Sequence, residues 1–485
     1  MSDFKKNLYS RQKQQDLQLL KLIPDSLPDE IKQALKSSVE NLTKQEADQE
    51  KFEEYIHKVN SDDIITSFIG LNRCRKLLSN PQIAAPTEQM IELFFQTRVH
   101  IKIFDIAKNT NIPLLKYEAL WIICNIGFGT QKQIQTIVDN DGINILFQAL
   151  ESEYVEIKEL GVWALANMAG ENLIFRDMLL QQGVLKVFIN LANKCRDNQS
   201  ETNNWGTKNL TILKTLVWAF SNLAKGKKTP EKIFFKDLVY ILCQIIVETE
   251  DEEILKDACW GLSYLSQEDF LMHIIIQEQI TQKLVLLLQK ENQSIVIPAL
   301  RILGNILTGN EEQTNVVMNC GVVQVFQKLL QNNKRNIRQE VCWSLSNIAA
   351  GSSGQVKQII RDDQLLNSIF LLLNNETSNV IEQISYIFSN CIFSAELEDI
   401  DYLVIQHGLF QKMSLLLDMN EKIVIRVTLE GIYQIQKRVQ NDQRQEQYKK
   451  FIVDSKIMDK VADQLKYSSK EISSKASKVF EIFNS

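Results

Sequence analysis

Four segments of the sequence pair a tryptophan with an asparagine four residues later. An indole presents a flat, electron-rich face, and a carboxamide presents hydrogen-bond donors together with an acceptor. The repeated pair therefore indicates a ladder of binding groups. The pairs are Trp121/Asn125, Trp163/Asn167, Trp218/Asn222 and Trp343/Asn347.

The pairs belong to a longer series of marker segments with a regular spacing. The markers lie at positions 121, 163, 218, 260, 301, 343 and 386, at intervals of 42, 55, 42, 41, 42 and 43 residues. A constant period of about 40 to 47 residues is typical of all-helical armadillo or HEAT repeats. Three of the segments are variants, with Trp260 and Tyr264, Arg301 and Asn305, and Tyr386 and Asn390.

The position of each pair around its helix separates packing from binding. Residues in a helix are rotated by roughly 100° each, so the positions one before and two, three and six after the tryptophan share a stripe. The tryptophan and asparagine lie roughly 130° from that stripe, and we expect them off the core. In the second marker segment the stripe contains Val162, Leu165, Ala166 and Ala169, which predicts a packed face.

A second signal, a glycine ahead of an apolar helix, divides each repeat further. Gly142, Gly183, Gly321 and Gly408 each lie 20 to 22 residues after a marker. A glycine at that point predicts a sharp turn between helices, where a Cβ atom is unfavourable. Three helices in each repeat favour armadillo over two-helix HEAT geometry. The one long interval contains a polar insertion, residues 195–206, whose Trp205 we do not assign to the ladder.

Composition limits the classes of protein that remain. The 485 residues are 45% hydrophobic with only 17 glycines and 7 prolines, as a mostly helical array requires. A formal net charge of −6 argues against direct nucleic-acid binding. The eight cysteines form no C-x-x-C motif and predict reduced thiols of a cytosolic or nuclear protein. We expect no secretion signal and no membrane partner.

Catalytic and metal chemistry have no pattern to support them. The four histidines are scattered, without a nucleophile or ligand at a telling spacing. Glycine-containing turns follow helices and lack the strand-to-helix context of a phosphate loop. We therefore predict no enzyme, no metal and no cofactor. The histidines are His57, His100, His273 and His407.

Residues 1–60 differ from the rest of the chain. They are polar and glutamine-rich, with ten Lys/Arg against eleven Asp/Glu. We expect a partly disordered leader with one or two surface helices. The repeat array is predicted to cover residues 61–485, which is room for about ten repeats.

The succession of markers resembles the importin-α family over roughly residue 61 to the C-terminus. Three Trp/Asn repeats are followed by a repeat with Tyr264 where asparagine would be, and then by one with Arg301 in place of tryptophan. A further Trp/Asn repeat follows. The resemblance implies an all-α fold, a right-handed superhelical solenoid of about ten armadillo repeats.

The resemblance also implies a function. Importin-α proteins are nuclear import adaptors that bind Lys/Arg-rich nuclear localisation signals in a concave groove and link the cargo to importin-β. Asparagine amides would grip the peptide backbone, and indoles would form slots for lysine or arginine stems, with about 0.5–2 kcal/mol per cation–π contact. Shuttling between cytoplasm and nucleus, and an export receptor at the C-terminal repeats, are implied in the same way.

Two sets of site residues follow from the resemblance. The major signal-binding site would contain Trp121, Asn125, Glu159, Trp163, Asn167, Glu171, Trp218, Asn222, Asp257 and Tyr264. The minor site would contain Arg301, Asn305, Glu311, Thr314, Glu340, Trp343, Asn347 and Asn390.

Several residues depart from the family pattern. Ile134 stands where a threonine is usual, and Glu171 is one methylene longer than the usual aspartate. Tyr386 and Gln383 replace a tryptophan and a glutamate, so we expect weak binding at the minor site. The leader's cations are dispersed rather than clustered, which predicts weak autoinhibition and an altered or lost importin-β contact. These cations are Lys5, Lys6, Arg11, Lys13 and Lys21.

Two other functional classes stay open. One is an armadillo scaffold of the catenin type, although such proteins bind acidic ligands in a basic groove. The acidic residues expected in the groove of this chain argue against that class. The second is a cargo-binding relative uncoupled from importin-β, serving as a chaperone for basic proteins. The acidic residues expected in the groove are Glu118, Glu159, Glu171 and Asp257.

Overall fold

The computed structural model of the chain describes residues 16–43, 47–79, 87–196, 209–226, 232–374 and 376–484. Within these ranges the secondary structure is helical and contains no strand. The chain forms two compact units, Met1–Gly261 and Leu262–Ser485. The all-α prediction is confirmed. No helix in the described ranges combines the length and apolar character needed to cross a membrane.

Shorter helices, usually two, precede each long helix along the first unit. The 3₁₀ segments are Asp16–Leu22, Gln49–Lys51 and Lys232–Phe235. The α-helices are Asp29–Thr43, Phe52–Val59, Ile64–Ser79, Thr87–Gln96, Val99–Asn109, Pro113–Ile126, Gln131–Asp139, Gly142–Leu150, Val155–Glu171, Leu173–Gln181, Val184–Lys194, Leu210–Ala224, Lys236–Glu248 and Glu252–Leu265, the last of which crosses the unit boundary.

The second unit continues the same pattern. It includes one π-helical turn, Tyr402–Gln406. Its α-helices are Asp269–Gln277, Thr281–Leu287, Gln293–Ile306, Glu311–Met318, Val322–Leu329, Arg335–Ala349, Ser353–Ile360, Asp363–Leu372, Ser378–Ser394, Leu397–Asp401, Leu409–Leu417, Lys422–Val439, Gln445–Asp454, Ile457–Gln464 and Lys470–Asn484.

Each repeat ends in a long helix of 14 to 18 residues, which we call the third helix. Within each unit, most consecutive third helices pack side by side. Ten third helices lie in the described part of the chain, which confirms about ten three-helix armadillo repeats. They are 64–79, 113–126, 155–171, 210–224, 252–265, 293–306, 335–349, 378–394, 422–439 and 470–484.

The glycine signal marks the turn between the first and second helices of a repeat. Gly183, Gly321 and Gly408 have φ angles of 82°, 73° and 61°, in the left-handed region that glycine enters without a Cβ clash. The fourth glycine differs, because Asp141 (φ 60°) makes the left-handed turn there. Gly142 instead begins a helix, and a Cβ atom on it would lie 2.4 Å from Cγ2 of Ile137.

The described part of the leader is better packed than we expected. Leu22, Leu35 and Val59 are completely buried, and Val39 is 2% exposed. The helix Phe52–Val59 packs against the third helix 64–79, as does the helix Asp29–Thr43. The described leader helices are thus anchored to the array by a few buried residues, while most of their other residues are exposed or half-buried. Most of the predicted insertion, including Trp205, lies outside the described residues.

We expect Gly183→Ala to lower the stability of the folded chain by about 1–2 kcal/mol, because alanine is strained in the left-handed region. Space is not the cause, since nothing lies within 4 Å of the added Cβ. Gly354→Ala is the matched control: its Cβ also meets nothing, and its backbone is helical. Denaturant unfolding should show a loss for the first variant only. Equal midpoints would show that the turn does not need glycine.

Candidate functional site

One side-chain hydrogen bond recurs between successive third helices. Nδ2 of a ladder asparagine donates to the backbone carbonyl just before the marker asparagine or tyrosine of the preceding repeat. The oxygen Oδ1 of each of these carboxamides is not used in this bond, and Nδ2 of Asn167 also donates to Sγ of Cys124 at 3.6 Å. The bonds are Asn167 to Cys124 (3.3 Å), Asn222 to Ala166 (3.1 Å), Asn305 to Ser263 (3.3 Å), Asn347 to Gly304 (3.3 Å) and Asn390 to Ser346 (3.0 Å).

The marker indoles are more deeply buried than their angular positions around a single helix predicted. Trp121 and Trp163 are only 1% and 3% exposed, whereas Trp218 and Trp343 are half-buried. The expectation that the pairs lie off the core is wrong for the first two indoles. Their rings approach each other, with centroids 6.1 Å apart at an interplanar angle of 51°. The expectation considered one helix alone. The neighbouring third helices, which it left out, cover this face.

An arginine that sequence reasoning missed lies on the first indole. The guanidinium carbon of Arg75 is 4.9 Å from the centroid of the Trp121 ring. Its Nε donates to Oε2 of Glu118 at 2.6 Å, and both side chains are completely buried. Asn72 also donates to this carboxylate, at 2.9 Å. Glu118 is thus part of the core, and its expected place on an acidic groove is wrong.

The repeat period contains the signal for this arginine. Asn125, the first ladder asparagine, donates to Oγ of Ser79, 46 positions earlier, at 3.0 Å. Counting back the same number from Trp121 reaches Arg75. The first repeat therefore carries Arg75 and Ser79 where later repeats carry tryptophan and asparagine.

A cavity of about 190 Å³ opens in the first unit beside the third indole. Asn167 is 4% exposed, and its buried Oδ1 accepts no hydrogen bond from the described residues. Glu171 and Lys225 are exposed at the rim. Four predicted residues are thus brought together here: Asn167, Glu171, Trp218 and Asn222. Phe128, Gly170 and Lys225 complete the lining.

The other acidic residues of the predicted major site lie apart from that lining. Glu159 is buried and accepts a hydrogen bond from Oγ1 of Thr215 at 2.9 Å. Burial, aided by Glu159, raises the pKa of the Cys124 thiol. Asp257, 8% exposed, pairs with Lys256 at 3.3 Å. Ile134, the residue that replaces a threonine, is completely buried.

A larger cavity, about 400 Å³, lies in the second unit. Nε of Arg301 donates to Oε2 of Glu340 at 2.8 Å, and Nη2 bonds the other oxygen, so the pair is bidentate. This bond raises the pKa of Arg301, and it occupies the carboxylate predicted to select a ligand cation. The lining residues are Gln267, Arg301, Asn305, Gln339, Glu340, Trp343 and Gln383.

Asn305 and Trp343 are held closely in that cavity. Nδ2 of Asn305 also donates to Oγ of Ser266 at 2.8 Å. Gly304 lies flat against the indole, since a Cβ atom on it would be 2.3 Å from Cζ3 of Trp343. Tyr264, half-buried, has its pKa raised by burial.

The remaining predicted minor-site residues are not part of the cavity lining. Thr314 is 3% exposed, while Glu311 is exposed and its carbonyl accepts a bond from Nε2 of Gln355 at 3.0 Å. Asn347 and Asn390 are half-buried and continue the ladder. In the described ranges no three His, Cys, Asp or Glu residues are grouped to hold a metal ion. None of the eight cysteines, all of which lie in the described ranges, forms a disulfide bond.

Three-helix repeats joined by a ladder of amides define an armadillo-repeat protein. The family model for the armadillo/beta-catenin-like repeat matches residues 310–350. The crystal structure of an engineered protein has the same fold, with a TM-score of 0.76 and 21% sequence identity, over 90% of this chain and 99% of that one.

Similarity to relatives of known name identifies the family within the armadillo-repeat class. Importin subunit alpha-4 of Arabidopsis thaliana is 30% identical over 434 residues, covering 88% of this chain and 77% of the relative. Importin subunit alpha-1b of Oryza sativa subsp. japonica is 32% identical over 291 residues, or 60% of this chain. That second match spans about half of the relative, 51% of its length. The chain belongs to the importin-α family.

We expect Glu118→Gln to destabilise the folded chain by about 3–5 kcal/mol, because it removes the carboxylate partner of a buried guanidinium. Asp141→Asn is the matched control, since the Lys108–Asp141 pair is 46% and 42% exposed and is worth about 0–1 kcal/mol. Asparagine also tolerates the left-handed backbone at that position. Denaturant unfolding of both variants is the measurement. Similar midpoints would contradict a structural role for the buried pair.

Proposed function

We propose that the chain is a nuclear import adaptor whose first unit binds Lys/Arg-rich nuclear localisation signals. The cavity beside Trp218 carries the proposal, because it places an indole, two carboxamides and a carboxylate around one space. Membership of the importin-α family supports the same function. Cargo recognition in the cytoplasm and release in the nucleus, with shuttling between the two, belong to this proposal.

The cavity offers a distinct contact to each part of a bound lysine. The aliphatic stem packs on the half-buried indole of Trp218, where a cation near the ring gains about 0.5–2 kcal/mol. The ammonium finds acceptors in the exposed carboxylate of Glu171 and the buried Oδ1 of Asn167. A buried acceptor without a partner favours a ligand that brings a donor.

The ladder asparagines serve the peptide backbone. Because Nδ2 is bonded to the preceding repeat, Oδ1 is the end of the carboxamide that faces away from that repeat. Asn167 then presents Oδ1 to an extended chain, and Asn222 presents Oδ1 and one N–H. Main-chain hydrogen bonds of this kind hold a peptide without regard to its side chains. The predicted major site remains part of the proposal, with Asn167, Glu171, Trp218 and Asn222 at its centre.

The cavity of the second unit is proposed as a weaker, minor site. Its one lining carboxylate, Glu340, is already bound by Arg301. Gln383 adds an amide without a charge, and Nη2 of Arg426 reaches the hydroxyl of Tyr386 at 3.4 Å. A ligand cation therefore gains less here than beside Glu171. Signals with two basic clusters should bind little better than signals with one.

Coupling to other transport factors forms a separate part of the proposal. In the adaptor, importin-β is recruited together with cargo, and an export receptor contacts the C-terminal repeats. The alternative is a cargo-binding scaffold or chaperone uncoupled from importin-β. The packing of the described leader supports this alternative, because Leu22 and Leu35 are buried against the array rather than available to a partner.

We expect Asn167→Ala to weaken binding of a fluorescent lysine-rich peptide by the full chain. Loss of a hydrogen-bonded buried amide costs about 1–3 kcal/mol, which is roughly a 5- to 150-fold fall in affinity. Asn390→Ala removes an equivalent amide in the second unit and is the matched control, with less than a twofold change. Fluorescence anisotropy gives both values. Unchanged affinity of Asn167→Ala would contradict the proposed site.

The adaptor and the uncoupled scaffold differ in one measurable contact. Titration of importin-β into the full chain, with the lysine-rich peptide present, should give saturable heat if the chain is an adaptor. The same titration with Asn167→Ala is the control, because cargo binding falls while the leader is unchanged. Absence of importin-β binding alongside normal peptide binding would contradict the adaptor and favour the scaffold.

A further inference from the structure

We infer that the last three third helices carry a further binding surface, which takes an acidic peptide segment rather than a basic one. The surface lies entirely in the second unit, on the third helices 378–394, 422–439 and 470–484. It goes beyond the proposed function, because the residues that line the cavities beside Trp218 and Trp343 have no part in it. The ligand is identified by its chemistry, a run of carboxylates that includes an apolar side chain.

One side of each third helix, which we call the ladder face, carries the marker residue. Positions four before, four after and seven after a marker lie within roughly 40° of it, because each residue rotates the helix by roughly 100°. The position seven after a marker lines a cavity in three repeats. These residues are Phe128, Lys225 and Gln267, which follow Trp121, Trp218 and Trp260.

The ladder face changes its chemistry over the last two repeats. Glu430 lies 44 residues after Tyr386, the last marker, and Lys475 lies 45 residues after Glu430. The two side chains bond to each other between neighbouring third helices. A carboxylate and an ammonium therefore stand at the spacing where the first unit has indoles.

Positive charge outnumbers negative charge on these two helices. The segments 422–439 and 470–484 contain seven Lys/Arg and three Glu, which gives +4 in a chain whose net charge is −6. Lys437 and Lys478 are exposed to solvent. Such a local excess of cations attracts an anionic ligand and repels a basic one. The cations are Lys422, Arg426, Lys437, Arg438, Lys470, Lys475 and Lys478.

The carboxylate at the centre of this face is already surrounded by donors. Nε2 of Gln434 donates to Oε1 of Glu430 at 2.9 Å, and Nζ of Lys475 bonds the other oxygen. Burial alone would raise the pKa of Glu430, but these bonds and the charges of Lys475 and Lys478 lower it overall. Glu430 is thus held by the chain's own cations, and it does not offer a site to a ligand lysine.

An exposed aromatic ring lies beside the cations. Phe393 is 71% exposed, and Lys437 holds the same position on the next third helix, 44 residues later. The carbonyl of Ile392, the residue before the ring, accepts a bond from Nη1 of Arg438 at 2.7 Å. That bond uses one of the five N–H donors of the guanidinium. An apolar ligand side chain on Phe393 would therefore place neighbouring carboxylates next to Arg438 and Lys437.

The other polar groups of the face favour a peptide over a nucleic acid. Nδ2 of Asn390 donates to the carbonyl of Ser346 at 3.0 Å, so Oδ1 is not used in that bond and suits a peptide N–H. A nucleic-acid backbone brings no N–H. Its regularly spaced phosphates would also approach Glu430 and the exposed Glu471, which is paired with Arg426 at 3.7 Å. An acidic peptide has fewer charges to place and an amide backbone to offer.

The first test reverses two exposed charges and titrates a fluorescein-labelled peptide of glutamates around one leucine. We expect saturable binding to the full chain, and Lys437→Glu with Lys478→Glu should weaken it roughly fivefold or more, because two attractions become repulsions. The matched control is Lys328→Glu with Lys357→Glu, exposed lysines on the helices Val322–Leu329 and Ser353–Ile360. Equal losses in the two double variants, or no saturable binding, would overturn the inference.

The second test concerns the aromatic ring. Phe393→Ala should weaken binding of the same peptide roughly threefold, because the leucine loses its apolar contact. Leu371→Ala is the matched control, since Leu371 is 70% exposed on the helix Asp363–Leu372 and lies off the third helices. Neither substitution removes a buried side chain. Unchanged affinity of Phe393→Ala would overturn the inference.

Two further titrations separate this surface from other ligands. A labelled single-stranded oligothymidine should bind more weakly than the acidic peptide, and tighter binding would overturn the assignment to a peptide. The lysine-rich peptide should bind the variant with Lys437→Glu and Lys478→Glu as it binds the unaltered chain. Loss of acidic-peptide binding alone therefore contradicts this inference and leaves the proposed function intact.

Discussion

The hydrogen bond from an asparagine amide to the backbone carbonyl of the preceding repeat is the contact on which the rest of the structure depends. It links third helices in both units, as in Asn167 to Cys124 and Asn347 to Gly304. A buried amide bonded in this way resists rotation, because turning it would leave the carbonyl without its donor. The bond therefore sets both the register of neighbouring repeats and the direction in which each Oδ1 faces. In the proposed function, one side chain therefore serves both packing and binding.

Ion pairs between neighbouring third helices accompany the ladder of amides in both units. In each unit an arginine stands at a marker position ahead of a tryptophan, and a glutamate three residues before that tryptophan binds it. Glu430 and Lys475, on the last two third helices, also bond to each other. Cations of the chain itself thus pair with carboxylates between successive repeats. In the cavity beside Trp218, an indole and two amides lie together with the exposed carboxylate of Glu171.

Much of the fold could be predicted from spacing alone. The period of the Trp/Asn pairs predicted the third helices, and glycine predicted the left-handed turns at Gly183, Gly321 and Gly408. The burial of Trp121 and Trp163 could not be predicted from one helix, because the neighbouring third helices cover them. Arg75 was missed because its segment lacks the aromatic marker, although the period reaches it. The packing of the leader could not be predicted from its polar composition. A few residues such as Leu22 and Leu35 account for its buried surface.

The most direct test of the ladder is a crystal structure of the full chain bound to a lysine-rich peptide. The account predicts an extended peptide along the third helices of the first unit, with a backbone N–H bonded to Oδ1 of Asn167. A lysine ammonium should lie beside Glu171, and the bond from Asn167 to the Cys124 carbonyl should persist. A peptide bound away from these residues, or a carboxamide turned so that Nδ2 leaves the carbonyl, would contradict it.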